Sequence, residues 1–279
     1  MNGDSVKPAT SLKGDPDIKR VLTALVALPL LILFTCKASP TLFAVLVVLF
    51  SGLGLHEFYS MTLPDRKIVG PAVAVLGALT PLLLYATPLF FPAGLTAVTV
   101  ILALVFLFTV NDLKKSAADF ALTVSGLLYV PLLLGHLLLL RGLNHGINWI
   151  FLLFVLVMSG DSAAYYTGRS LGRHKLYPLV SPNKSIEGAL GGLAGSLLGS
   201  FISRWTFFPE LTAADCLLTA MIIGPLGQCG DLFESLVKRS CGVKDSGFLV
   251  PGHGGILDRL DSILFAAPAL YYYARYLAG

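Results

Sequence analysis

The chain has 279 residues, enough for one domain or two on length alone. With 55% hydrophobic and 13% charged residues and a mean hydropathy of +0.78, it is an integral membrane protein and not a soluble globule. Its net charge of +4 calls for no nucleic-acid partner, since basic loops on one membrane face account for the excess. Its four cysteines form no CxxC pair or Cys/His cluster, which argues against a zinc site or a disulfide framework.

Residues 1–20 are polar, with no small-residue cleavage site after an apolar core, and read as a cytoplasmic tail before a retained first helix. About 20 apolar residues cross a hydrocarbon core. On that measure the sequence predicts an all-α polytopic membrane protein of about nine transmembrane helices. They fall near 21–36, 40–56, 69–88, 93–110, 118–140, 147–167, 187–203, 211–229 and 257–277. Pro29, Pro81 and Pro131 lie inside spans and predict kinks. His56 with Glu57, and His136, read as packing or snorkelling groups, and Asn111-Asp112 as a helix cap or end; none is placed in a site.

Alternating these spans from a cytoplasmic N-terminus puts 16 of the 20 Lys and Arg residues on the inner side and four on the outer. The polar loops 168–186 and 230–256 then both face the cytoplasm. The chain divides into a tail (1–20), an apolar transmembrane scaffold (21–150) and a catalytic transmembrane region (151–279) that carries nearly all the candidate chemistry.

In the sixth span Asp161 lies near the cytoplasmic end, and Ala164 and Gly168 continue its face with small residues that permit close helix packing. At least two of Arg169, Arg173 and Lys175 read as positive-inside anchors. Ser181-Pro182-Asn183-Lys184-Ser185 then places a lysine and two hydroxyls at a helix N-terminus, a good setting for an anion. Ser185 reads as the cap of that helix, and Gly191, Gly195 and Gly199 as a helix-packing face.

The stretch from Gly230 to Asp261 is the anomaly. It gathers Asp231, Glu234, Lys238, Arg239, Lys244, Asp245, Asp258, Arg259 and Asp261 between apolar segments, with His253 and a run of glycines. A carboxylate at a membrane helix centre costs about 2.5–3.5 kcal/mol on insertion scales, so such groups need partners or a task. Asp231, Glu234, Ser235 and Lys238 share one helix face by their i, i+3, i+4, i+7 spacing. The Gly-rich turn at Gly252–Gly255 exposes backbone N–H groups that suit phosphate oxygens. His253 serves there either as a phosphate contact or as a turn-holding residue. Asp258 and Asp261 share a face of the ninth helix, and paired carboxylates of this kind suit Mg²⁺.

Ser235-Leu236-Val237-Lys238-Arg239, four further residues, Lys244-Asp245, and then His253-Gly254-Gly255-Ile256-Leu257-Asp258-Arg259-Leu260-Asp261 resemble the signature of the phosphatidate cytidylyltransferase (CDP-diacylglycerol synthase) family. Val250 is a mild departure. The Gly160-Asp161 and Ser181–Ser185 segments also resemble family elements, so the likeness covers about 160–262. It implies transfer of CMP from CTP to phosphatidate with release of pyrophosphate. It further implies an all-helical membrane fold, Mg²⁺ dependence with one or two ions, and a homodimer in the inner (plasma) membrane. On this footing Asp231 and Asp258 are the first candidates for metal ligands, with Asp261 and Asp161 next, while Asp245 either orients Lys244 or takes a metal. Lys238, Arg239, Lys244 and Arg259 are the phosphate-holding catalytic residues. Ser181, Lys184, Ser235, His253, Gly254 and Gly255 are the substrate-binding candidates.

The chemistry fits a membrane surface, because the lipid stays in the bilayer while CTP arrives from water. A phosphate monoester is already largely dianionic at neutral pH, so the demand falls on charge neutralisation and not on a strong base. Alternatives are a related CTP-dependent prenyl-lipid cytidylyltransferase, a lipid kinase using CTP, or, in another class, an ion-coupled transporter. The transporter reading is weakened by the grouping of acidic and basic residues in one tract with no second copy.

Overall fold

The computed structural model describes residues 33–66, 69–87, 89–110, 112–249 and 254–278. The expected first span at 21–36 lies almost wholly outside them, as do Pro29, Asn111, Val250 and His253. The described elements are α1 (Pro40–Thr62), α2 (Val69–Gly77), α3 (Thr80–Ala86), α4 (Phe91–Phe108), α5 (Leu113–Arg141) and α6 (Gly146–Leu171). A hairpin of β1 (Lys175–Tyr177) and β2 (Ser181–Ser185) follows, then α7 (Ile186–Thr206), α8 (Ala213–Ser240) and α9 (Leu257–Tyr276).

Among the described residues, α1, α4, α5, α6, α7 and α8 are long and apolar enough to cross a membrane. The polytopic helical fold is therefore as expected, and six of the nine expected spans meet that measure among the described residues. Two segments account for part of the difference. The stretch expected as one helix at 69–88 is broken into α2 and α3, because Pro81 lacks an N–H and starts a new helix at its first turn. The 20-residue α9 carries Asp258, Arg259 and Asp261 in its first turns, which shortens its apolar run. Pro131 leaves α5 unbroken and is absorbed in a widened π turn at Leu128–Leu132.

Local signals set the helix starts. Ser185 caps α7 by accepting from Gly188 N at 3.1 Å, and Asp112 caps α5 by accepting from Lys114 N at 2.9 Å. Thr212 and Asp215 form a reciprocal capping box at the head of α8. At 28 residues α8 runs about 42 Å, longer than a hydrocarbon core of about 30 Å. Its charged last turns thus extend past the apolar layer.

Helices in lipid gain little from burying apolar surface against one another, so close approach of backbones has to supply the packing. The pair α6 and α7 has the most extensive contact. There Gly191, Gly195 and Gly199 face Thr167, Ala163 and Ser159 with no room for a larger side chain. The α8 helix lies against both α7 and α9, and α9 reaches back to α5, α6 and α1. One buried core joins Leu55, Val130 and Leu134 of the first half to Ile150, Leu156, Ile223 and Leu264 of the second. By contrast α4 leaves Val100, Ile101, Leu107 and Phe108 exposed, as a lipid-facing helix does.

The loop between α6 and α7 holds structure that the sequence reading did not foresee. Its two strands pair antiparallel, with Lys175 opposite Ser185 and Tyr177 opposite Ser181 and an irregularity between. Glu187 in the first turn of α7 fastens the hairpin base: it accepts from Arg173 N at 3.1 Å and His174 N at 3.2 Å, and its Oε1 lies 2.6 Å from His174 Nδ1.

Candidate active site

The ends of α6, α8 and α9 and the hairpin enclose a cavity of about 850 Å³. Three carboxylates, Asp161, Asp231 and Asp261, reach it from three different helices. Their meeting depends on small residues beside them. At Gly230 a side chain would strike the Asp261 carbonyl, so glycine lets α8 and α9 touch where Asp231 and Asp261 stand. At Gly160 a side chain would press on Ser196 of α7, which sets the approach that carries Asp161.

Cations line the same cavity: Arg169, Lys184, Lys238, Arg239, Lys244 and Arg259. Lys184 Nζ lies 2.7 Å from Asp231 Oδ2, as an ion pair without hydrogen-bond alignment. Lys238 is held between two carboxylates, with its Nζ 2.6 Å from Glu234 Oε2 and 2.5 Å from Asp258 Oδ1. Arg239 donates to the Val243 carbonyl at 2.9 Å. Lys244 and Arg259 have no carboxylate of the described residues at ion-pair distance. The site therefore sets positive charge that is unpaired by carboxylates among the described residues beside several carboxylates, the combination needed to hold polyanions together with a cation.

Most of the residues singled out in the sequence come together here. Asp161, Ser181, Lys184, Asp231, Lys238, Arg239, Lys244, Asp245, Asp258, Arg259 and Asp261 all line the cavity. Ser235 does not; it is buried on α8, with its hydroxyl 3.5 Å from Asp231 Oδ1. Gly254 and Gly255 are not on the cavity wall either, and His253 lies outside the described residues. Of the Gly-rich turn expected to cradle phosphate, residues 252 and 253 lie outside the described residues. Gly255 N donates to Asp258 Oδ2 at 2.8 Å, and Ile256 N and Leu257 N donate to Glu57 at 3.0 and 2.9 Å. These N–H groups are already engaged by this chain's own carboxylates. Gly254 has φ +82°, a left-handed turn that suits glycine, and a side chain there would also meet Asp258.

Asp258, expected as a metal ligand, makes several contacts within the chain. Its Oδ1 takes Lys238, and its Oδ2 accepts from Ser246 N and Oγ, both at 3.0 Å, besides Gly255 N. With both oxygens so occupied, it ties α8 to the loop and to α9. Among the described residues, no three His, Cys, Asp or Glu side chains lie close enough to cage a metal by themselves. Mg²⁺ does not require such a cage, because it keeps several waters and is shared with substrate phosphates.

Sequence reasoning missed Gln228, Asn183 and Tyr165, which also line the cavity. Gln228 Nε2 donates to the Ala189 carbonyl at 3.1 Å, and Tyr165 accepts from Arg169 at 3.1 Å. Gln228 and Tyr165 are single polar residues within spans and give no spacing signal to follow, while Asn183 lies in the segment already named between Ser181 and Lys184. Glu57, set aside as a packing group at a span end, is buried against the site loop.

Residues 18–277 match the model of the cytidylyltransferase family. The chain belongs to that family. It is 34% identical over 261 residues to a phosphatidate cytidylyltransferase of Bacillus subtilis, covering 91% of this chain and 96% of the relative. It is likewise 35% identical over 256 residues to a phosphatidate cytidylyltransferase of Staphylococcus haemolyticus, covering 90% and 96%. Family membership along nearly the whole chain removes the transporter alternative and turns the cavity into a nucleotidyl-transfer question.

Proposed function

We propose that this protein transfers CMP from CTP to phosphatidate, forming CDP-diacylglycerol and pyrophosphate for phospholipid synthesis. The observation that carries the reading is the convergence of Asp161, Asp231 and Asp261 with Lys184, Lys244 and Arg259 on one cavity, in a chain of the cytidylyltransferase family. The similar proteins bearing the phosphatidate cytidylyltransferase name support the choice of lipid.

In this reaction a phosphate oxygen of phosphatidate attacks the α-phosphorus of CTP. A new P–O–P bond forms as the bond from the α-phosphorus to the α,β-bridging oxygen breaks, and that oxygen leaves on pyrophosphate. The barrier is repulsion between two polyanions, so the protein must hold both and neutralise them. Arg259, Lys244, Arg239 and Lys184 bind phosphate oxygens, with Ser181 and Asn183 at the hairpin side of the cavity. Lys238 takes its direction from Asp258 and Glu234.

A divalent cation fits the donor set, which offers hard carboxylate oxygens on three helices at one cavity. Asp231, Asp261 and Asp161 would hold Mg²⁺, one ion or two, with phosphates and water completing the coordination; Asp245 is a further candidate on the rim. When bound, the ion neutralises phosphate charge and stabilises the leaving pyrophosphate. Asp258 is assigned to orienting Lys238 and the site loop and not to the metal.

The 16-to-4 distribution of basic residues supports an inner-membrane orientation with the site facing the cytoplasm. A homodimer belongs to the same reading and is measured by cross-linking in nanodiscs. The deciding experiment incubates purified protein with labelled CTP, phosphatidate and Mg²⁺. A lipid-soluble cytidine product with pyrophosphate upholds the reading. Release of CDP with a newly phosphorylated lipid replaces it with a kinase, and turnover only with prenyl phosphates replaces the lipid.

A further inference from the structure

Glu57 stands near the end of α1, far in sequence from every residue of the cavity wall, yet it is 4% exposed and faces the site loop. Its Oε1 accepts from Ile256 N at 3.0 Å and its Oε2 from Leu257 N at 2.9 Å, the first backbone donors of α9. Its Oε2 also lies 3.0 Å from the Ser246 hydroxyl. An anion at a helix N-terminus satisfies donors that the helix cannot, and it sits in the favourable end of the helix dipole. Here the capping carboxylate comes from another helix, in the half of the chain that otherwise resembles scaffold.

The Ser246 hydroxyl couples this cap to the site. It lies 3.0 Å from Glu57 Oε2 and equally 3.0 Å from Asp258 Oδ2, and Ser246 N donates to the same Asp258 oxygen. One hydroxyl proton serves one carboxylate at a time, so the two acids are linked through a shared donor. The backbone has been cleared for this contact. A side chain at Gly247 would come within 2.5 Å of Glu57 Oε1, and one at Gly255 would strike both Glu57 and Ser246.

We propose that Glu57 is a positioning residue for cytidylyl transfer: through Ser246 and the first N–H groups of α9 it sets Asp258, hence Lys238, and the register that presents Asp261. A carboxylate serving only to stabilise the fold would need no connection to Asp258. The Glu57–Ser246–Asp258 chain supplies that connection, and it runs on to Lys238 on the cavity wall. The inference rests on the reading of the Asp231 cavity as the active site.

The test uses full-length protein in nanodiscs, three single variants, Glu57→Gln, Ser246→Ala and Asp231→Asn, and the double variant of the first two, each assayed well below its own unfolding temperature. A misplacement near 1 Å at a reacting centre can lower a rate by about 10²-fold. Glu57→Gln and Ser246→Ala are each expected to lower kcat by about that factor, with KM for CTP changed less than kcat. Because they act through one chain of contacts, the double variant is expected to lose no more than the worse single one. Wild-type kcat in folded Glu57→Gln or in Ser246→Ala, with Asp231→Asn inactive, overturns the inference and leaves the active-site reading standing. If Glu57→Gln fails to fold, Ser246→Ala alone decides, since it leaves Glu57 on the Ile256 and Leu257 N–H groups and removes the bridging hydroxyl, together with the 3.3 Å contact that this hydroxyl accepts from Asp258 N. Full activity in Asp231→Asn overturns the cavity reading and this inference with it.

Discussion

Lys184 and Asp231 meet at 2.7 Å, the first from the hairpin before α7 and the second from α8. Both line the cavity, as do Ser181 and Asn183 of the same hairpin. The Lys184–Asp231 pair is a charge contact without an aligned hydrogen bond, so the ammonium keeps donors for another acceptor. A phosphate is the acceptor that the family chemistry brings. In the proposed site Lys184 would bind a nucleotide phosphate, and Asp231 would be among the residues holding a divalent cation.

Exchanging Lys184 for methionine removes that donor while keeping the aliphatic stem. A hydrogen bond to a charged group is worth about 1.5–3 kcal/mol, which corresponds to roughly a tenfold or larger effect. KM for CTP is expected to rise by that factor, with kcat falling less. Steady-state kinetics with CTP varied at saturating phosphatidate measures it, and an unchanged KM removes Lys184 from the nucleotide site.

Metal removal gives a second prediction. Turnover is expected to cease in excess EDTA and to return with added Mg²⁺. Asp261→Asn should then need at least about tenfold more Mg²⁺ for half-maximal rate, since even outer partners of a metal site change affinity by about 10–100-fold. Asp258→Asn should behave differently, losing rate without a comparable shift in Mg²⁺ requirement, because its oxygens serve Lys238, Ser246 and Gly255. Equal shifts in both variants would return Asp258 to the metal.

Asp258→Asn also leaves Lys238, a largely buried cation, with Glu234 as its remaining ion-pair partner. Removing one partner of a buried pair typically costs about 3–5 kcal/mol. The surviving Glu234 contact should bring the loss to the lower end of that range. Thermal unfolding in detergent would register it as a lowered Tm. Lys115→Ala is the control: its pair with Asp65 lies in the open, and Tm should not move.

Charge patterning made much of this legible in advance. The tract from Gly230 to Asp261 stood out because carboxylates beside hydrocarbon are costly, and eleven of the residues singled out there and at Asp161, Ser181 and Lys184 do line one cavity. Pro81 signalled a kink, though a kink and a full break into α2 and α3 look alike in a hydropathy pattern. Glu57 was not legible as part of the site. A single acid at a span end has no periodicity to mark it, and its partners, Ser246, Ile256 and Leu257, are revealed only by the packing of α1 beside α9. The same holds for the roles of Gly255 and Asp258, since spacing puts a group on a face without saying which donors already occupy it.

Backbone contact between α8 and α9 supplies the last prediction. A methyl group at Gly230 would meet the Asp261 carbonyl, which is main chain and cannot rotate away. Gly230→Ala must therefore push α9 from α8 at the point where Asp231 and Asp261 share the cavity. Overpacking of this kind costs about 1–3 kcal/mol, and a misplacement near 1 Å can lower a rate by about 10²-fold. Both Tm and kcat should fall. Gly94 in α4 is the matched control, because a methyl group there meets nothing within 4 Å. In a helix interior alanine is favoured over glycine by roughly 0.5–1 kcal/mol, so Gly94→Ala should leave kcat unchanged and Tm equal or slightly higher. If Gly230→Ala matched Gly94→Ala in both measurements, the contact between α8 and α9 would not be what brings the two carboxylates together.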